Sequence, residues 1–377
     1  MNPHLTRRQV LTRALAVSAA ASLPALATAP GPSLNDLAQA KGRRFGSTVG
    51  TGKPGTLTGS FADVAYRDLL VAECGLLVPE NELKWGALRP SADVYNFEAA
   101  ERLLAFAKEK GLAFRGHTLL WHHPRWLPAW LDKHDFGAKP AQAVEKMIAD
   151  HIAMVAGSYK DRITSWDVVN EAVDADTGGL RDTPFTRHVP AERILDLSFH
   201  KAREVLPQGQ LIYNDYMSWE PGHEKHRDGV LRLLEGFRKR GTPVDALGVQ
   251  SHIMVVEGGP KYDEAAWRRF LDEVVGMGYG LLITEFDVND KGLPTDIALR
   301  DKGVADYSRA YLDLMLSYKQ MGDVLVWGMV DKFSWLQGLT PRADKQPFRC
   351  CPYGSDFQPH PLRDAIAGAL KGAVAKG

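Results

Sequence analysis

Two glutamates are the residues best placed to do chemistry in this chain. Glu171 closes the run that begins at Ile163 (Ile-Thr-Ser-Trp-Asp-Val-Val-Asn-Glu), and Glu285 closes most of the run that begins at Leu281 (Leu-Leu-Ile-Thr-Glu-Phe-Asp). Each run is short, rich in Val, Ile and Leu, and stops at an acid. Such a run reads as a strand buried on both faces of a parallel sheet, with its acid at the rim of an apolar wall. A negative carboxylate beside a second carboxyl raises the second group's proton affinity. A converging pair therefore offers one group that keeps its proton and one that has lost it.

Other strand-like runs end in polar residues of a consistent kind. Glu80, Asn81 and Lys84 follow one, and His117, Trp121, His122 and His123 follow the next. Asn170 precedes Glu171, Tyr213 to Tyr216 close a further run, and Gln250 and His252 another. Asp287 follows Glu285, and Trp327, Asp331 and Trp335 come last. Amide, imidazole and carboxylate groups interleaved with indoles suit a sugar, whose hydroxyls need hydrogen-bond partners and whose ring faces need flat apolar surface. His117, His122 and His123 do not read as a metal site, because consecutive histidines on an extended segment point apart and no helix with His-x-x-x-His spacing accompanies them.

Those residues need elements that bring their ends together. Strand candidates fall at 44–49, 76–78, 113–116, 163–169, 210–213, 246–249, 281–284 and 324–327. Helical spacing appears at 34–39, 99–110, 141–159, 194–206, 225–240, 264–277, 304–321 and 362–370. Strand and helix in regular alternation predict an α/β fold, a single (β/α)8 TIM barrel, in which every carboxyl strand end opens on one face. A doubly wound open sheet is the alternative, but no glycine-rich phosphate turn follows the first strand.

With those motifs in place the chain resembles the glycoside hydrolase family 10 endo-β-1,4-xylanases over about residues 34 to 370. Trp-Asp-Val-Val-Asn-Glu at 166–171 and Ile-Thr-Glu-Phe-Asp at 283–287 carry the likeness, with Arg-Gly-His-Thr-Leu-Leu-Trp-His at 115–122 and Trp-Gly-Met-Val-Asp-Lys-Phe-Ser-Trp at 327–335. The resemblance implies retaining cleavage of internal β-1,4-xylosidic bonds of xylan, with Glu285 as nucleophile and Glu171 as acid/base. It implies that Asn170 bonds the hydroxyl beside the anomeric carbon, and that His252 orients the nucleophile with Asp287 behind it. Glu80, Asn81, Lys84, His117, Trp121, Gln250, Trp327 and Trp335 match residues on the non-reducing side of the cut, and Tyr213 one on the reducing side. No metal or cofactor is expected, and the expected partners are xylan and xylo-oligosaccharides. The same chemistry on another β-1,4-glycan or an aryl cellobioside is the nearest alternative; a non-catalytic carbohydrate-binding protein is the other.

Two positions depart from the family pattern. The chain reads His122-His123-Pro124-Arg125-Trp126 where a glutamine is usual, and Cys351-Pro352-Tyr353-Gly354 where an acid is common in the last place.

The amino terminus reads as separate from the barrel. Arg7-Arg8 precedes an uncharged alanine-rich run and then Ala25-Leu26-Ala27, the pattern of an export signal and specifically of a twin-arginine leader. Residues 1–27 are therefore expected to be removed, leaving 28–377 as one catalytic domain, exported to periplasm or medium. The 46 basic residues balance 46 acidic ones, and loss of Arg7, Arg8 and Arg13 makes the remainder slightly acidic. That balance argues against nucleic acid or an anionic membrane as partner; a monomer is expected. Cys74, Cys350 and Cys351 are an odd set, so at least one thiol stays unpaired, and a bridge between Cys74 and one of the others is left open.

Overall fold

The path of the sheet begins and ends on the same stretch of chain, which is what closes it into a barrel. In the computed structural model, residues 31–256, 258–259, 261–339 and 341–377 are described; the expected leader at 1–27 lies outside them. The strands are β1 Phe45–Val49, β2 Leu76–Pro79, β3 Ala113–Phe114, β4 Gly116–Trp121 and β5 Ser165–Asn170. They continue with β6 Gln210–Asp215, β7 Ala246–Val249, β8 His252–Met254, β9 Gly280–Asn289 and β10 Met321–Val326. Their order is β3-β2-β1-β10-β9-β7-β6-β5-β4, with β8 beside β9, and every pairing between them is parallel. β3 and β4 are two halves of one strand separated by Arg115, whose N–H donates to the Leu77 carbonyl at 2.8 Å. The first half pairs β2 and the second β5, so the eight expected barrel strands form a ring, with β8 as an extra piece at its rim.

The strands are buried along both faces, as their composition demands. β1, β5, β7 and β10 contain no exposed residue, because inward side chains fill the barrel and outward ones meet helices. The helices are α1 Leu34–Gln39, α2 Val64–Glu73, α3 Trp85–Leu88, α4 Glu98–Glu109 and α5 Pro140–Tyr159, then α6 Ala191–Val205, α7 Glu224–Arg240, α8 Glu264–Gly276, α9 Ile297–Met315 and α10 Pro361–Gly372. Three differ from the sequence reading, the first being the single turn α3, which was not anticipated. α2 was not anticipated: Val64 and Val71 on it are 52% and 41% exposed, so its apolar residues do not mark one buried stripe, and its start is set by Asp63 accepting from the Tyr66 N–H. The helix expected at 304–321 starts earlier, behind the Asp296 cap, and stops at Met315 because Met321 is already the first residue of β10. Among the described residues no helix is long and apolar enough to cross a membrane.

A buried ion pair inside the barrel fixes one wall of the site. Asp167 on β5 accepts from both Arg115 Nη atoms and from His117 Nδ1, the last at 2.9 Å, and all three residues are buried. Asp167→Ala would leave the Arg115 guanidinium uncompensated in the core, at a cost of about 3–5 kcal/mol. Urea unfolding should show that loss, with Asp167→Asn losing less; an Asp167→Ala midpoint within error of the parent would mean that water replaces the pair at no cost.

Candidate active site

Glu171 leaves β5 with φ of 53°, a left-handed conformation that costs a side-chain-bearing residue on the order of 1–2 kcal/mol. Its N–H still donates to the Asn214 carbonyl at 2.9 Å, so the turn happens at the end of the ladder and swings the carboxyl over the barrel mouth. Ser251, with φ of 65°, makes the corresponding kink between β7 and β8. Strained backbone at two strand ends, on either side of β6, is the pattern of a functional site.

The structure joins the two glutamates through amides. Glu171 Oε1 accepts from Gln250 Nε2 at 2.9 Å and from Asn170 Nδ2 at 3.2 Å. Asn214 Nδ2 donates both to Asn170 Oδ1 at 2.9 Å and to Glu285 Oε1 at 2.8 Å. Thr284 Oγ1 in turn donates to Asn214 Oδ1 at 2.6 Å. Asn170, Asn214 and Gly248 are register partners across β5, β6 and β7 and so point to one side. Gly248 is required there: a Cβ on it would come within 2.4 Å of Asn214 Oδ1.

His252 clamps Glu285 from the other side. Its Nε2 lies 3.2 Å from Glu285 Oε2 and its Nδ1 2.8 Å from Asp287 Oδ1. Because both ring nitrogens face carboxylate oxygens, both must donate, and the ring is an imidazolium. Burial alone would lower its pKa, but Asp287 and then Glu285 raise it to about 10. Asp287 is held in place by Trp335 Nε1, which donates to its Oδ2 at 2.7 Å. The clamp exists because β8 pairs β9 with His252 opposite Asp287, and because Glu285 and Asp287, two apart on β9, project to one side.

These contacts separate the proton demands of the two acids. For Glu285 burial favours the neutral form, yet the bond from His252 and the charges of His117, His252 and Lys84 overcome it and bring the pKa down to about 2. Glu171 is pushed up, first by burial and then by the charges of Asp215 and Glu285, against the bond from Gln250 and the nearby Trp121 indole. The Trp121 N–H is buried and has no hydrogen-bond partner among the described residues. The arrangement thus holds one carboxylate ionised and one carboxyl loaded.

His252 sets the acid side of any pH profile that depends on an ionised Glu285. Rate is lost as pH falls through the Glu285 pKa, so a depressed pKa places that limb near the acid extreme. His252→Asn removes the cation and should move the limb upward, toward the ordinary carboxyl range near 4.3, in kcat/KM measured from pH 2.5 to 7 in brief assays. A limb that stays put would show that His252 does not control Glu285.

The remaining expected residues gather around this pair, with one exception. Lys84 Nζ lies 4.6 Å from the Trp121 ring and 5.9 Å from that of Trp327, and donates to Asn81 Oδ1 at 3.1 Å. Burial lowers the Lys84 pKa, against the charges of Glu285, Glu80, Glu171 and Glu82, which raise it. Burial lifts Glu80 to about 7, with Lys84 opposing. His117 meets the edge of Trp327, centroids 5.4 Å apart, and Trp335 packs near His252 at 5.2 Å. Tyr213 does not reach the cleft. It is fully buried, its ring faces Phe237 on α7, and its hydroxyl donates to Asp215 and accepts from the Ala172 N–H. Alternation along β6 sends Tyr213 outward and Asn214 inward.

Three residues were not anticipated as site residues. Asn214 links the two acids; the register of Asn170 against Asn214 would have found it, but register is not written in one strand alone. Tyr216 and Arg181 are the others: Arg181 Nη2 donates to the Tyr216 hydroxyl at 2.8 Å and its Nε to the Glu171 carbonyl at 3.1 Å. Tyr216 is pushed up to about 12, by burial first and then by Asp215 and Glu171, with Arg181 opposing.

Other sequence features find structural roles. His122 Nε2 lies 3.2 Å from the Arg181 carbonyl. Asp331 is turned inward, accepting from the Cys350 and Cys351 N–H groups at 3.0 and 2.9 Å. The three cysteines are free and buried. Gly354 is explained by crowding, since a Cβ there would come within 2.7 Å of both His360 Nε2 and Asp356 Oδ1.

A parallel barrel that presents two carboxyls of opposed proton affinity among indoles and amides on its strand-end face is, by class, a glycoside hydrolase. The comparisons agree. The model of glycosyl hydrolase family 10 matches residues 33–369, and the chain belongs to that family. It is 30% identical over 276 residues to endo-1,4-beta-xylanase B of Thermotoga neapolitana, covering 73% of this chain and 75% of that one. It is 32% identical over 291 residues to a beta-1,4-xylanase of Dictyoglomus thermophilum, covering 72% and 75%. Native xylanase 10B from Thermotoga maritima superposes with a TM-score of 0.78 at 28% identity, covering 90% of this chain and 98% of the other. Xylanase 10B from Thermotoga petrophila in complex with xylobiose gives 0.78 at 27%, with the same coverage.

Proposed function

We propose that this chain hydrolyses internal β-1,4-xylosidic bonds of xylan with retention of configuration, Glu285 acting as nucleophile and Glu171 as acid/base. The observation that carries the reading is the His252 clamp on Glu285 beside a buried Glu171, which pulls the proton affinities of the two acids in opposite directions. In the first step Glu285 attacks the anomeric carbon while Glu171 gives its proton to the departing glycosidic oxygen. Formation of the glycosyl ester removes the Glu285 charge. That lowers the proton affinity of Glu171, which then takes a proton from the incoming water as that water cleaves the ester. Asn170 bonds the hydroxyl beside the anomeric carbon, while Gln250 and Asn214 hold the acids in position. Glu80, Asn81, Lys84, His117, Trp121, Trp327 and Trp335 bind the sugars on the non-reducing side. Tyr216, rather than Tyr213, is the tyrosine available on the leaving-group side. The residues act without a metal or organic cofactor in this scheme. Export by the twin-arginine route, removal of residues 1–27 and a monomeric mature domain complete the reading.

Linear xylohexaose followed by proton NMR tests it. Internal cleavage with retention releases xylobiose, xylotriose and xylotetraose whose new ends are first seen as the β-anomer. Appearance of the α-anomer first, or release of terminal xylose alone, would overturn the reading.

A further inference from the structure

The loop after β4 reads His122-His123-Pro124-Arg125-Trp126 and puts an indole and a guanidinium beside the cleft. Trp126 is 43% exposed, an uncommon placement for so large an apolar ring. It is not isolated: it stacks on Trp121 with ring centroids 5.0 Å apart and planes 21° from parallel. Trp121 is the indole that approaches Glu171 and carries Lys84. The Arg125 guanidinium lies 4.7 Å from the Trp126 centroid, so aromatic surface runs outward from the cleft and ends at a cation.

That cation differs from its neighbours in having no counter-charge. Lys84 is surrounded by the acids of the site, Arg181 pairs with Asp174 at 3.0 Å, and Arg187 with Asp132 at 3.1 Å. Arg125 is exposed; among the described residues its guanidinium forms no ion pair or side-chain hydrogen bond, and only its backbone N–H is engaged, with His123 Nδ1 at 3.2 Å. Stacking on an aromatic face orients the guanidinium plane while leaving its N–H edge free, the geometry that takes a planar carboxylate by two parallel bonds. A neutral polysaccharide offers such a group hydroxyl oxygens but no counter-charge. We propose that Arg125 and Trp126 form a subsite for a uronic acid side group on the polysaccharide, Trp126 meeting the sugar ring and Arg125 its carboxylate. This rests on the xylan-hydrolase reading and adds to it a preference for chains bearing acidic branches.

The test compares three substrates: linear xylohexaose, a xylo-oligosaccharide carrying one glucuronic acid branch, and the same oligosaccharide with that carboxyl reduced to the alcohol. The parent enzyme should cleave the acidic form with a kcat/KM about tenfold above the reduced form, the scale of one charge-assisted contact, and 0.5 M NaCl should shrink that ratio. Arg125→Ala should erase the ratio while leaving linear xylohexaose within about twofold, and Arg125→Lys should restore part of it. Trp126→Ala should weaken both branched substrates. Melting curves of the variants verify that they fold. Equal handling of acidic and reduced forms by the parent, or an Arg125→Ala loss spread evenly over all three substrates, overturns the subsite. Failure of the parent on linear xylohexaose would instead strike the underlying reading, and the subsite would fall with it.

Discussion

Glu285→Ala should lower kcat on xylo-oligosaccharides by on the order of 10⁶, the scale of losing a covalent nucleophile. The effect is expected to exceed any other because Glu285 is the member of the acid pair that the surroundings force to stay ionised, with a pKa brought down to about 2 by His252, His117 and Lys84 against the pull of burial. Alanine leaves a small gap beneath the anomeric carbon while Glu171 keeps its bonds to Gln250 and Asn170. Added azide should fill that gap and attack from the vacated face. A β-linked substrate with a good leaving group would then give the α-glycosyl azide, the inverted product. Xylan hydrolysis by Glu285→Ala at anything near the parent rate would remove Glu285 from the mechanism.

The second large effect belongs to Glu171→Ala and depends on the leaving group. Xylan has a poor leaving group, so loss of the general acid should cost about 10²–10⁴ in kcat. A dinitrophenyl xylobioside needs no proton to depart, so its first step should keep most of its rate, and the glycosyl-enzyme should accumulate as a burst because the base is missing from the second step. The pH profile supplies an independent reading. Glu171 must be protonated to act, and its pKa is raised above the ordinary value by burial, Asp215 and Glu285. The parent rate therefore falls as pH climbs through that raised pKa, and Glu171→Ala should lack this limb. If the alkaline limb survives the substitution, another group is the acid.

The two kinds of prediction were not equally legible in the chain. Both glutamates are visible because each ends a β-branched run, and strand composition is a local property. The pairing of Glu285 with Asp287 is legible for the same reason, since a two-residue spacing on a strand means one side. The eight barrel strands could be counted from their alternation with helices. Helix α2 was missed where exposed valines blur the stripe, and the end of α9 was overrun where a strand follows within a few residues.

What stayed out of reach depends on register. Asn214 and Tyr213 are adjacent, and nothing in β6 alone says which faces the site; pairing with Asn170 on one side and Gly248 on the other decides it. His252 becomes a clamp only because a short strand pairs β9 beyond the barrel.

By itself the amino-acid sequence determined the fold class and the family and singled out the two acids proposed here as catalytic, because strand composition, alternation and motif order are written along one chain. The tertiary structure alone decided which acid is charged, that Asn214 joins them, that Tyr213 turns away and Tyr216 remains, and that Arg125 and Trp126 continue the indole surface from Trp121. Proton affinity depends on burial and on charges brought together from distant strands, and stacking depends on ring positions, so neither can be read before the strands are in register.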